Sequence, residues 1–189
     1  MSYDIQKYPV QPALPTITQH DQLPTGAIEI GRLLDTTEAE DLYVFVKRDN
    51  YLSILTAYRN LKTHQYYCDQ FDFPLRVLSW FPKALEEFRK LAAAGGLHAG
   101  AMTSADENVD GEMLCVQAAT QGYHLVNRSR QSPLDVGNSY MPTPISFSYH
   151  FLYDLGFLDL LKKLGSNISE MSSKNSLSSL LEVIKGPMS

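Results

Sequence analysis

The sequence predicts an α+β fold: an antiparallel β-sheet covered on one face by helices, preceded by an irregular Pro-rich N-terminal arm. Three observations carry this. From Phe71 to Ala94 the apolar period changes without a spacer. Phe71, Phe73, Leu75 and Val77 alternate as on a strand, and Phe81, Leu85, Phe88 and Ala92 then follow helical spacing. Upstream, short alternating runs separated by turn residues read as strands joined by hairpins. At the start, Pro9, Pro12, Pro15 and Pro24 fix φ and remove backbone donors, which keeps residues 1–25 extended or irregular.

Taken in order, Gly26–Leu34 is a strand, and Leu42–Arg48 is the clearest strand of the chain. Arg48-Asp49-Asn50 supplies turn chemistry and Tyr51–Tyr58 the returning strand, with a helix from Asn50 to Leu61 as the rival reading. Thr63–Asp69 leads into the Phe71 run, where Pro74 indicates an edge strand or a bulge. The following helix takes Ser79 as its cap and Pro82 in its first turn, and ends at Gly95-Gly96. Residues 97–111 are a long loop. Glu112–Ala119 and Gly122–Ser129 form a second hairpin. Ser146–Leu164 carries an apolar stripe at helical spacing, weakened at Gly156 and ended by Gly165. No repeat period is evident. The division is therefore an arm (1–25), one α+β domain (26–165) and a Ser-rich flexible tail with a short helix near its end (166–189).

Composition narrows the function classes. Apolar residues make up 44% of the 189 and charged residues 20%, which is a folding composition. The net charge of −5 argues against gripping a duplex by bulk charge, although local patches count for more than the sum. Cys68 and Cys115 stand in no metal or redox spacing and suit a reducing, cytoplasmic setting. No stretch has the length of a signal or membrane-spanning segment, so no membrane partner is expected.

Two motifs suggest sites. Asp106-Glu107-Asn108-Val109-Asp110-Gly111 matches the first half of a calcium loop, with Asp106, Asn108 and Asp110 as oxygen ligands. The second half fails, because Gln117 stands where a bidentate Glu belongs. A weak divalent-cation site is the only cofactor expectation. The second motif is a sheet face. If Leu42, Val44 and Val46 face the core, then Tyr43, Phe45 and Lys47 face outward, and Arg32, Tyr58, Arg59 and Lys62 extend the patch. Aromatics set among cations on a sheet are the arrangement that stacks unpaired bases or anchors a protein partner. The alternative is that Tyr43 and Phe45 pack under the arm or against the second helix.

No phosphate-cradling glycine loop or nucleophile elbow occurs. The leading expectation is a non-catalytic binding or assembly protein acting through protein contacts, homo-oligomerisation included. Single-stranded nucleic-acid binding on the sheet face is the first alternative. A small hydrolase-like enzyme built on the 98–112 loop, with His98, Asp106 and Asp110, is the second.

Overall fold

The computed structural model describes residues 10–37, 41–130, 142 and 144–184, with side chains as far as Glu170. The alternating runs form not one sheet but two. Strands β1 (Ala27–Asp35), β2 (Asp41–Arg48), β3 (Tyr51–Arg59) and β4 (Tyr66–Pro74) make an antiparallel meander in chain order, followed by helix α1 (Val77–Arg89). Strands β5 (Glu107–Val109), β6 (Glu112–Ala119), β7 (Gly122–Asn127) and β8 (Pro144–Ser148) make a second meander, followed by a π-helical turn (His150–Asp154) and helix α2 (Phe157–Ile184). The chain thus runs twice through four strands and a helix. A meander requires only alternation and correctly placed turns, and unrelated side chains meet both demands, so no residue-level period accompanies the repeated architecture.

The inner faces of both sheets and the apolar faces of both helices share one core. Phe45, Leu52, Ile54 and Phe73 come from the first sheet, and Leu114, Val116, Leu125 and Phe147 from the second. Phe81 and Leu85 of α1 and Phe157 and Leu161 of α2 fill the space between. The outer face of the first sheet carries a smaller cluster in which Ile17 is buried on Val44, Val46 and Leu55. Residues 10–26 contain no helix or strand. The Ile17 N–H donates to Gln70 Oε1 at 2.8 Å, and Arg48 and Arg130 donate to the carbonyls of Pro15 and Pro12, each at 2.8 Å.

Several boundaries differ from the sequence expectation. Helix α1 begins at Val77, so Ser79 lies inside the first turn rather than capping it, and its hydroxyl donates back to the Arg76 carbonyl at 3.2 Å. Pro82 sits within the helix and supplies no N–H to the Leu78 carbonyl. A separate 3₁₀ turn, Ala92–Ala94, precedes Gly95, whose φ of 85° closes it. The stripe read as one helix from Ser146 is divided into β8, the π-helical turn and α2, with the break at Gly156 (φ 79°). Gly165 does not end α2. It lies against α1, where a Cβ would stand 3.6–3.7 Å from Leu78 backbone and side-chain atoms, and the helix continues through the serine run. Among the described residues, no helix is long and apolar enough to cross a membrane.

Candidate functional site

The proposed aromatic and cationic sheet face is divided by the fold. Tyr43 and Phe45 point inward, which corrects the expected orientation of β2. The Tyr43 ring lies 4.4 Å from Phe151 and 6.0 Å from Phe147, and Phe45 lies 5.6 Å from Phe157. Both faces of β2 are apolar, so alternation separates them without saying which is inward. The large rings fill the deep space against the helices. Val44 and Val46 take the shallower side, covered by the segment around Ile17. Lys47 shares the inner face in register with Leu52 and is half-buried. Arg32 lies on the outer face and is paired with Glu29 at 2.6 Å, which holds the Glu29 carboxyl below its ordinary range.

Tyr58, Arg59 and Lys62 do come together, at the end of the β3–β4 hairpin. The register sets Tyr58 opposite Tyr67 and Arg59 opposite Tyr66. Tyr58 and Tyr67 stack at 5.7 Å with 20° between planes, and the Arg59 guanidinium lies 5.9 Å from the centre of the Tyr66 ring. The loop between them is held by Asn60. Its side-chain oxygen accepts the N–H groups of Lys62 and Thr63 at 2.9 and 3.1 Å, its carbonyl accepts from His64 at 2.8 Å, and its own N–H donates to Gln65 at 2.9 Å. Asn side chains that clamp nearby backbone in this way build turns without a core behind them.

The hairpin end is therefore shaped while its large side chains stay in water. Leu61 is 81% exposed, Tyr66 71% and Tyr67 40%. Period-two alternation directs Tyr66 and Tyr67 to opposite faces, so the end offers rings on both sides. From Asn50 to Cys68 the chain has no acidic residue, although it carries Arg59, Lys62 and His64. Burial, reinforced by the Asp69 charge, raises the Tyr58 phenol. The sequence reading does not single out Tyr66, Tyr67, Leu61 and His64, and the signal that marks them is the acid-free run with its paired tyrosines.

The acidic motif is a hairpin turn. Asp110 (φ 50°) and Gly111 (φ 91°) have the two positive φ angles of a type I′ turn between β5 and β6. Each candidate ligand is engaged elsewhere. Asp106 meets Arg128 at 2.6 Å, Asp110 meets Arg76 at 3.0 Å, and the Asn108 side chain accepts from the Gly111 N–H at 2.9 Å. Among the described residues no group of three or more His, Cys, Asp or Glu is placed to hold a metal ion.

Of the residues considered for a hydrolase-like site, only Asp110 lines the cleft beside α1. It shares this cleft of about 410 Å³ with Arg76, Ser79 and Ile168, whereas His98 and Asp106 are absent from the lining. Cys115 pairs in register with Val126, and His124 with Gln117, so they do not face each other. Cys115 is buried, and burial, with Asp106 adding to it, pushes its thiol up to about 11, away from nucleophilic use at neutral pH. His124 Nδ1 instead meets the Ser146 hydroxyl at 2.8 Å on an exposed sheet face.

One further polar cluster is architectural. Arg130 and Glu112 are both buried and form a forked pair, with Nη2 at 2.6 Å and Nε at 2.9 Å from the carboxylate oxygens. The guanidinium also lies 4.9 Å from the Tyr51 ring, and Asn127 links Glu112 to the Asp72 carbonyl. This joins both sheets to the segment at Pro12. Comparison with known proteins supplies no relative: no family model matches the chain, no curated protein matches it, and no solved structure matches its fold.

Proposed function

We propose that this is a non-catalytic binding protein whose working surface is the β3–β4 hairpin end, and that the ligand this surface fits best is an unpaired nucleic-acid strand. One observation carries the reading. In a chain of net charge −5, the hairpin end joins exposed Tyr66 and Tyr67 to Arg59 and Lys62 with no acid between Asn50 and Cys68. Every base offers a π-face to a tyrosine ring, and each cation answers a phosphate, so such a surface tolerates sequence. Bases inside a duplex are already stacked and would not reach the rings. The Pro-rich segment before β1 serves in this reading as a strap over the opposite side of the sheet. The free thiols of Cys68 and Cys115 suit a reducing, cytoplasmic setting.

A protein partner, a second copy included, is the second reading, favoured by Leu61 at 81% exposure beside Arg59 and Tyr66, since Arg and Tyr anchor protein interfaces. Fluorescence anisotropy with labelled homopolymer oligonucleotides separates the two. With Arg59 and Lys62 each neutralising one phosphate, log K should fall with log salt at a slope of about −1.4. Replacing Tyr66 and Tyr67 together by Ala should weaken binding by about tenfold or more. Absent or salt-independent binding would sink the nucleic-acid reading and leave the protein partner.

A further inference from the structure

Tyr149, Tyr153 and Arg89 form a second exposed aromatic set, remote in sequence from the hairpin. Helical turns of the π type are rare, occur mostly as single turns and are frequent at functional sites. Here the Leu155 N–H reaches the His150 carbonyl at 3.0 Å, five residues back. The turn is anchored at its start, where the Tyr149 N–H donates to the Gln121 carbonyl at 2.8 Å and the Phe151 N–H to Ser148 Oγ at 3.1 Å. It buries Phe151 and Leu152 and leaves Tyr149 46% and Tyr153 39% exposed.

The Arg89 guanidinium lies 4.9 Å from the centre of the Tyr153 ring, and Tyr149 meets Tyr123 edge-on at 5.4 Å. The neighbouring acids on α1 are occupied, Glu87 by Lys90 and Glu86 by Lys162 at 3.5 Å, and Asp154 faces His150 at 2.8 Å. Arg89 therefore stays with the ring, as a cation beside an exposed tyrosine. This is the chemistry of Arg59 and Tyr66 repeated where the end of α1 meets the π-helical turn. The two sets are also linked through the core. Phe151 touches Tyr43 at 4.4 Å, Tyr43 is opposite Thr56, and Tyr58 is the next residue of β3 on that face.

We infer that Tyr149, Tyr153 and Arg89 are a second stacking platform for the same unpaired nucleic-acid strand, so that a strand long enough to reach both platforms binds more tightly than a short one. The inference rests on the nucleic-acid reading of the hairpin end. Its occupant follows from the pairing of exposed tyrosine with a cation whose neighbouring α1 acids, Glu86 and Glu87, are each paired with a lysine, a charge and ring complementarity like that offered at the hairpin.

The test is a length series on the full chain, with oligothymidylates from about 4 to about 16 nucleotides, the range single-strand sites span. Affinity should rise steeply once both platforms are reached. Changing Tyr149 and Tyr153 to Ala should remove that rise, weakening the longest strand by about fivefold or more while leaving the shortest unchanged. Arg89→Glu, an exposed change that does not touch the core, should do the same and guards against misfolding of the double variant. If the strands bind but affinity shows no length step, or if the variants weaken short and long strands alike, the second platform is refuted while the hairpin site stands. If no strand binds at any length, both readings fail together. Release of a protein partner by these variants, without any oligonucleotide binding, would assign the surface to protein contacts and overturn the proposal.

Discussion

Tyr43 packs against Phe147 and Phe151 and is 9% exposed, and burial, with Asp35 and Asp41 adding to it, pushes its phenol up to about 12. In an unfolded chain a tyrosine titrates near about 10. The folded state thus favours the protonated ring. The resulting stability is fully present below about pH 10 and is lost as pH climbs through about 12, by roughly 2–3 kcal/mol from this group. Alkaline denaturation followed by circular dichroism should show this loss, and Tyr43→Phe, which keeps the ring and removes the proton, should lack that component. Matching curves for the two proteins would mean that Tyr43 does not titrate in the core. The same residue marks a limit of one-dimensional reading. Tyr43 and Phe45 alternate with Leu42, Val44 and Val46, and neither set is polar. Period two distinguishes two faces but assigns neither inward. Placing the rings required knowing that one side of β2 meets helices and the other a single passing segment.

At the level of elements, the helix pair depends on two glycines with different neighbours. A Cβ at Gly31 of β1 would meet Leu164 at 3.3 Å and Leu160 at 3.5 Å, so the bare backbone lets α2 lie close on the sheet. At Gly165 a Cβ would stand 3.6–3.7 Å from Leu78, which is ordinary contact. Gly165→Ala should therefore be tolerated, also because Ala is the better helix former. Gly165→Leu should cost about 1–3 kcal/mol by forcing α2 off α1. Urea denaturation of the two variants tests this, and equal stabilities would mean that the helices do not meet closely there. Strands β1 to β3 were legible because alternation and turn residues agree along 26–59, whereas β4 (Tyr66–Pro74) joins what reads as a strand over Thr63–Asp69 and the separate Phe71 run. Helix ends were less legible: Gly165 reads as a terminator, yet α2 runs through it beside Leu78 of α1. Glycine stops a helix through its freedom or joins two helices through its size, and only the neighbour decides which. The hairpin end was partly legible through Tyr58, Arg59 and Lys62. The grouping of Tyr149 and Tyr153 at the π-helical turn was hidden inside a stripe that matched an α-helix.

For the whole molecule, the decisive feature is that two successive units of four strands and a helix have a single core. Phe81 of α1 meets Phe147 of β8 at 5.8 Å, and Phe45 of β2 meets Phe157 of α2 at 5.6 Å. The buried Arg130–Glu112 pair crosses the same boundary, since Arg130 covers Tyr51 and Asn127 reaches the Asp72 carbonyl. Neither unit can bury its inner face alone. The intact chain should unfold in one cooperative transition, and residues 1–96 or 97–189 expressed separately should lack a sharp thermal transition and bind a hydrophobic dye. Independent cooperative melting of either half would contradict a shared core.

The amino-acid order by itself determined the element types along most of the chain, the α+β class, the strand-to-helix junction at 71–89 and the acid-free run that carries Arg59 and Lys62. These rest on local periodicity and local turn chemistry, which act over a few residues. The division into two sheets, the inward face of β2, the passage of α2 through Gly165 and the grouping of Arg89 with Tyr149 and Tyr153 were decided only by the tertiary structure. Each depends on which surfaces, distant in sequence, compete to leave water, and no local pattern records the outcome of that competition.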